Sequence, residues 1–103
     1  MKIAIITVWY NEQALAPFFL KHYSYVDNIF LYLDRDTNDN TLNICKSFPN
    51  VIIGDIRFPN GYDSVDHTNK INASIKELKG RYNWVYSVDS DELIFPPKEY
   101  KNA

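Results

Sequence analysis

Trp84-Val85-Tyr86-Ser87-Val88-Asp89-Ser90-Asp91-Glu92 is the stretch that decides the fold. Four of its first five residues are aromatic or β-branched, the composition of a strand covered on both faces. Polarity then inverts within one residue and three carboxylates follow. In extended chain, side chains two apart share a side, so Asp89 and Asp91 are expected to point the same way, with only Ser90 between them. Two like charges at the tip of a rigid element repel unless a cation separates them, and the simplest such cation is a divalent metal. The stretch therefore reads as an inner strand that delivers a cation-binding pair to its carboxyl end.

Working outward, the same kind of apolar run recurs upstream. Residues 2–9, Lys-Ile-Ala-Ile-Ile-Thr-Val-Trp, are a continuous run of the sort found in central parallel strands. Residues 29–33, Ile-Phe-Leu-Tyr-Leu, and 51–56, Val-Ile-Ile-Gly-Asp-Ile, are two more. Helical spacing fills the gaps. A helix is predicted over 13–24, with Leu15, Phe18, Phe19 and His22 on one side and Pro17 in its first turn, where proline does little harm. A short one is predicted over 40–47, with Asp39 or Asn38 as its cap. A third is predicted over 65–79, with Val65, Ile71, Ile75 and Leu78 as its inner stripe and Gly80 as its stop. Asn60-Gly61 marks a turn, and Pro96-Pro97 ends regular structure.

The order is thus β-α-β-α-β-α-β, which implies a mostly parallel sheet with right-handed helical crossovers on both faces, a doubly wound α/β fold. In its commonest arrangement the first strand is central, giving the strand order 3-2-1-4. A crevice then opens at the carboxyl ends of the first and fourth strands. Three polar clusters converge on it: Tyr10-Asn11-Glu12, Asp34 to Asp39, and Asp89-Ser90-Asp91. The expected organisation is one domain over 1–97 and a tail over 98–103.

Composition narrows the chemistry. The chain has 103 residues, enough for one small core, and a net charge of −2, which gives no basic field for nucleic acid or anionic membrane. No segment is long enough to span a bilayer, and the apolar start is too short for a signal peptide. The single cysteine, Cys45, falls in a helical apolar pattern and reads as a buried, inert thiol; with no internal disulfide to form, the expected location is cytoplasmic. Three glycines leave no glycine-rich phosphate loop. Asp34-Arg35-Asp36-Thr37-Asn38 imitates the start of an EF-hand loop, but its sixth and twelfth positions are Asp39 and Cys45 instead of glycine and glutamate. His22 and His67 have no partner at metal spacing.

An acidic crevice repels bare phosphate, so a phosphorylated ligand must bring a cation. Mg²⁺ and Mn²⁺ are held by one or two carboxylates together with phosphate oxygens. Asp34 is placed to accept hydrogen bonds from a nucleoside, and Tyr10 offers a ring to stack on its base. Lys70, on the third predicted helix, is within reach of a phosphate; the competing reading is a solvated surface lysine.

These clusters, in this order and spacing, resemble the N-terminal, nucleotide-sugar-binding half of a GT-A-type, family 2-like glycosyltransferase. The resemblance rests on Tyr10-Asn11-Glu12, on the acidic turn Asp34-Arg35-Asp36-Thr37-Asn38-Asp39-Asn40-Thr41, and on Asp89-Ser90-Asp91-Glu92 as an Asp-x-Asp motif. It implies that Asp91 coordinates a divalent ion, Mn²⁺ or Mg²⁺, on a diphosphate. Asp89 then contacts sugar or ribose, or shares the metal. Asp34 binds the base, usually uracil of a UDP-sugar, Tyr10 lines the base pocket, and Asn11 and Asp36 complete the nucleotide-sugar set. The sugar passes to an acceptor hydroxyl of a glycan or other molecule. Two departures stand out. The second strand ends Asp-Arg-Asp instead of in adjacent acids, and the catalytic base and acceptor-binding half that the family carries downstream have no counterpart in this sequence. The chain therefore reads as a truncated transferase, inactive alone, with an exposed apolar edge that favours homo-oligomers. The rival reading is a non-catalytic α/β module that assembles with another chain.

Overall fold

A computed structural model describes residues 2–58 and 61–93. The expected turn at Asn60, the Pro96-Pro97 stop and the tail over 98–103 lie outside those residues.

Four parallel strands form one sheet in the order β3-β2-β1-β4, as the alternation predicts. They are β1 (Ile3–Trp9), β2 (Asn28–Asp34), β3 (Val51–Ile56) and β4 (Trp84–Ser87). Between them run α1 (Ala16–His22) with a 3-10 turn at Tyr23–Tyr25, α2 (Thr41–Lys46) and α3 (Ser64–Leu78). The register is regular: Ile5 lies beside Ile29 of β2 and Tyr86 of β4, and Ile29 lies beside Val51 of β3.

The pleat of β1 divides the core. Ile3, Ile5 and Trp9 face one side, where Phe19, Leu20 and Tyr23 from the α1 region and Cys45 from α2 cover them. Ala4 and Ile6 face the other, under Leu78 and Ile71 of α3. Trp9 and Phe19 meet edge to face with ring centroids 5.0 Å apart, and Phe19 meets Tyr23 at 4.6 Å. Each aliphatic side chain fully removed from water here, such as Ile5, Ile29 or Leu31, contributes about 1.5–3 kcal/mol relative to exposure. Burial also pushes the Cys45 thiol up to about 11, which keeps it protonated and inert.

Several local expectations are corrected. β4 is not covered on both faces. It pairs only with β1 among the described residues, and Trp84 is 50% exposed, its ring stacked on that of Tyr86. Apolar content shows that a strand is wanted in a sheet, not whether both of its neighbours are present. The first helix starts at Ala16 instead of 13. Residues 13–15 form a turn in which the Glu12 carbonyl accepts the N–H groups of Leu15 and Ala16, and Pro17 then opens the helix. Its inner face is Ala16, Phe19, Leu20 and Tyr23, while Leu15 and Phe18 face solvent. On α3, Val65 and Ile75 are exposed and the inner stripe is Ile71, Ser74 and Leu78. Ser74 replaces an apolar residue there because its hydroxyl shares a 2.5 Å hydrogen bond with Tyr32 of β2.

Candidate functional site

Because all four strands are parallel, the loops after them share one edge of the sheet. Their positions are fixed by hydrogen bonds between loops. Asn11, at φ 48°, lies in the left-handed region that asparagine tolerates. Its side-chain amide donates to Asn38 Oδ1 at 3.0 Å, and its Oδ1 accepts the Asn38 N–H at 2.9 Å. The Glu12 N–H donates to Thr41 Oγ1 at 2.9 Å, and the Gln13 N–H to Asp39 Oδ2 at 3.2 Å. Asp39 also accepts from the Thr41 N–H, so it caps α2 although Asn40 holds the cap position. The loops after β1 and β2 therefore form one rigid rim.

On the β2 side of this rim lies a cleft of about 330 Å³ lined by Tyr10, Asp34, Asp36, Phe58, Gly61 and Tyr62. Tyr10 and Tyr62 are 53% and 67% exposed, whereas Phe58 is buried. Tyr62 is steadied by Phe58, with centroids 5.1 Å apart, and by a 2.8 Å hydrogen bond shared with His67 Nδ1. Asp34 Oδ1 accepts the Asp36 N–H at 2.9 Å, a local turn that holds the backbone at Asp36. Arg35 turns away and pairs with Asp55 at 2.7 Å.

On the β4 side the geometry differs from the expected extended pair. The strand ends at Ser87, Val88 is buried, and Asp89 to Glu92 form a turn. Glu92 Oε1 accepts the Asp89 N–H at 2.7 Å, and the Asp89 carbonyl accepts the Glu92 N–H at 3.0 Å. The Tyr23 hydroxyl donates to the Glu92 carbonyl at 2.9 Å, tying this turn to the α1 side. Glu92 thus shapes the turn. A strand's alternation no longer governs Asp89 and Asp91, because a turn closed on itself redirects each side chain. Asp91 lines a hollow of about 120 Å³ with Leu15, Phe18, Phe19, Ser90 and Leu93. Its charge reaches Glu12: burial, then Asp91, then Asp39 raise the Glu12 pKa above its ordinary value. Burial also opposes charge on Asp39, but hydrogen bonds from Thr41 and Gln13 outweigh it and lower that pKa.

The predicted residues therefore fall into separate places. Tyr10, Asp34 and Asp36 meet in the cleft. Asn11 clips the rim, and Asp89 is exposed on the turn. Lys70 lies on α3 with its amine 4.6 Å from the Tyr32 ring centroid, outside the described cleft lining. Among the described residues no three His, Cys, Asp or Glu side chains form a ready-made cation cage. Sequence reading missed Phe58 and Tyr62. Their signal was the aromatic residues bracketing the Asn60-Gly61 turn at the carboxyl end of a strand.

No protein family matches the sequence, and no curated protein matches it. Among solved structures, the crystal structure of S. aureus TarS 1-349, a glycosyltransferase, matches 91% of this chain with a TM-score of 0.63 at 19% identity. The chain spans 28% of that TarS chain. The likeness establishes a fold similar to a glycosyltransferase domain.

Proposed function

Starting from a glycosyltransferase-like fold, we propose that this chain binds a nucleoside diphosphate sugar across the carboxyl edge of its sheet. The base lies in the cleft against Tyr10, and the diphosphate extends past Glu12 toward Asp91. The observation that carries this reading is the Tyr10–Glu12 loop. It joins the aromatic cleft on one side to the Glu12–Asp91 carboxylates on the other.

The donor set suits Mn²⁺ or Mg²⁺. The Asp91 carboxylate is a hard oxygen donor, and a divalent ion bound there relieves the repulsion that Glu12, already disfavoured as an anion by burial, feels from it. Asp91 is the residue to hold it, with Asp89 beside it in sequence and phosphate oxygens completing the shell. When bound, such an ion screens a diphosphate and stabilises it as a leaving group. The chain's own residues orient the nucleotide. Transfer to an acceptor hydroxyl needs a base, and no side chain here is assigned that role. A second reading, a module that assembles with another chain without transferring sugar, draws on Leu15, Phe18 and Leu93, which are exposed around Asp91.

Thermal unfolding with nucleoside diphosphates and Mn²⁺ tests both. A ligand at a hundred times its Kd adds about 2.7 kcal/mol, a rise of roughly 10–20 °C for a domain of this size. Asp91→Ala is expected to abolish the metal-dependent part. No rise with any nucleoside diphosphate and metal favours the module.

A further inference from the structure

Resting on the nucleotide reading above, we propose that Tyr62 is a second wall of the base subsite and that His67 is the positioning residue that holds it there. Sheet order carries the first half. β2 lies between β1 and β3, so the chain after β1 and the chain after β3 leave the sheet on opposite flanks of the β2 end. Tyr10 comes from the first and Tyr62 from the second. Both line the cleft of about 330 Å³, with Asp34 and Asp36 from the end of β2 between them. An aromatic side chain on each flank suits a flat ligand, and a nucleobase stacks on such rings whatever the pattern of donors and acceptors on its edge.

The second half comes from the start of α3. Asp63 is its N-cap, and its carboxylate accepts the N–H groups of Val65 and Asp66 at 2.8 and 3.1 Å. Tyr62 is therefore the residue before the cap, and His67 is the fourth residue of the helix. Side chains at these two positions pack together to fix the direction in which a chain enters a helix. Here they meet twice. The rings lie edge to face with centroids 5.6 Å apart, and the Tyr62 hydroxyl shares its 2.8 Å hydrogen bond with Nδ1. Phe58 supports the Tyr62 ring as well, and Gly61, at φ 88°, makes the turn between them, its N–H donating to the Phe58 carbonyl. Helix entry alone accounts for the contact with His67. It does not account for the ring's place on the cleft, across the β2 end from Tyr10. Ordering an exposed tyrosine when a ligand arrives costs side-chain entropy, and contacts already made in the free protein remove that cost.

Isothermal titration of the full chain tests both halves. The ligands are UDP, GDP and ADP in turn with Mn²⁺, and inorganic pyrophosphate with Mn²⁺, which has no base. Tyr62 and His67 lie outside both core clusters, so their variants keep the fold. Tyr62→Ala is expected to weaken the tightest nucleotide about tenfold, the worth of one base–ring stack, and to leave pyrophosphate unchanged. His67→Phe keeps a ring but loses the hydrogen bond, and Tyr62→Phe loses the same bond from the other side. Each is expected to weaken the nucleotide about threefold, and the double variant no more than either alone. His67→Asn, whose amide reaches the Nδ1 position, is expected to recover most of the loss. Unchanged nucleotide affinity in Tyr62→Ala, or an equal loss for pyrophosphate, overturns the second wall and leaves the nucleotide reading standing. Additive losses in the double variant, or His67→Asn no better than His67→Phe, overturn the role of His67. A parent that binds none of the three nucleotides overturns the nucleotide reading and this inference with it.

Discussion

Glu12 is where charge crowding is felt at the scale of a single residue. Its pKa is raised, so the sign of its effect on stability follows directly. Below about 4.5, its ordinary value, the group is neutral in both states and costs nothing; as pH rises through its folded-state pKa, ionisation destabilises the native protein. Glu12→Gln keeps the backbone bond to Thr41 and removes the charge. Its melting temperature is expected to match the parent near pH 4 and to exceed it at pH 7. Water still screens this half-buried group, so the gain is about 0.5 kcal/mol or less. A variant no more stable than the parent at pH 7 would mean that neither burial nor the Asp91 and Asp39 charges disfavour the ionised form. Asp39 has the opposite sign: its lowered pKa stabilises the fold above about 3.8, and that contribution fades as pH falls below it.

Elements are held in place by close fits that only the three-dimensional arrangement reveals. A Cβ on Gly54 of β3 would come within 2.8 Å of the Tyr32 ring. That ring cannot step aside easily, because Ser74 holds its hydroxyl and the Lys70 amine covers its face. Gly54→Ala is expected to cost about 1–3 kcal/mol, seen as a lower midpoint in urea unfolding at unchanged slope. Strand order and helix placement were legible in the sequence because long apolar runs alternating with helical spacing leave few topologies. The stripe of α3 was not, since hydrophobicity favours Ile75 over Ser74 and cannot anticipate a hydroxyl paired with Tyr32 across the sheet. The cleft residues Tyr10, Asp34 and Asp36 were legible as polar punctuation after buried strands. The Asp89–Asp91 pair was expected on one side on the condition that extended geometry persists; the strand ends at Ser87 and Glu92 closes the chain into a turn.

At the scale of the whole molecule, the described residues leave apolar side chains uncovered in several places, and two of them are groups. Leu15, Phe18 and Leu93 cluster beside Asp91, with Phe18 72% exposed, and Ile52 and Ile53 lie on β3 at the far edge of the sheet. Such a surface favours association. Sedimentation velocity at rising protein concentration is expected to show oligomers, and Phe18→Ser to shift them toward monomer while changing stability by no more than about 0.5 kcal/mol. A parent that stays monomeric at millimolar concentration would remove this surface as the cause. No helix among the described residues is long and apolar enough to cross a membrane.

The pairing of Ile3 with Trp84 has a temporal consequence. During synthesis the leading strand emerges first, yet one of its flanks waits for a neighbour some eighty positions later. Loops that distant in sequence close slowly, so the nascent chain must shelter β1 with its local partners before β4 arrives. The acidic turn beyond β4 is therefore the last part of this sheet edge to be born, and the cleft between Tyr10 and Asp34 can form on the ribosome before it.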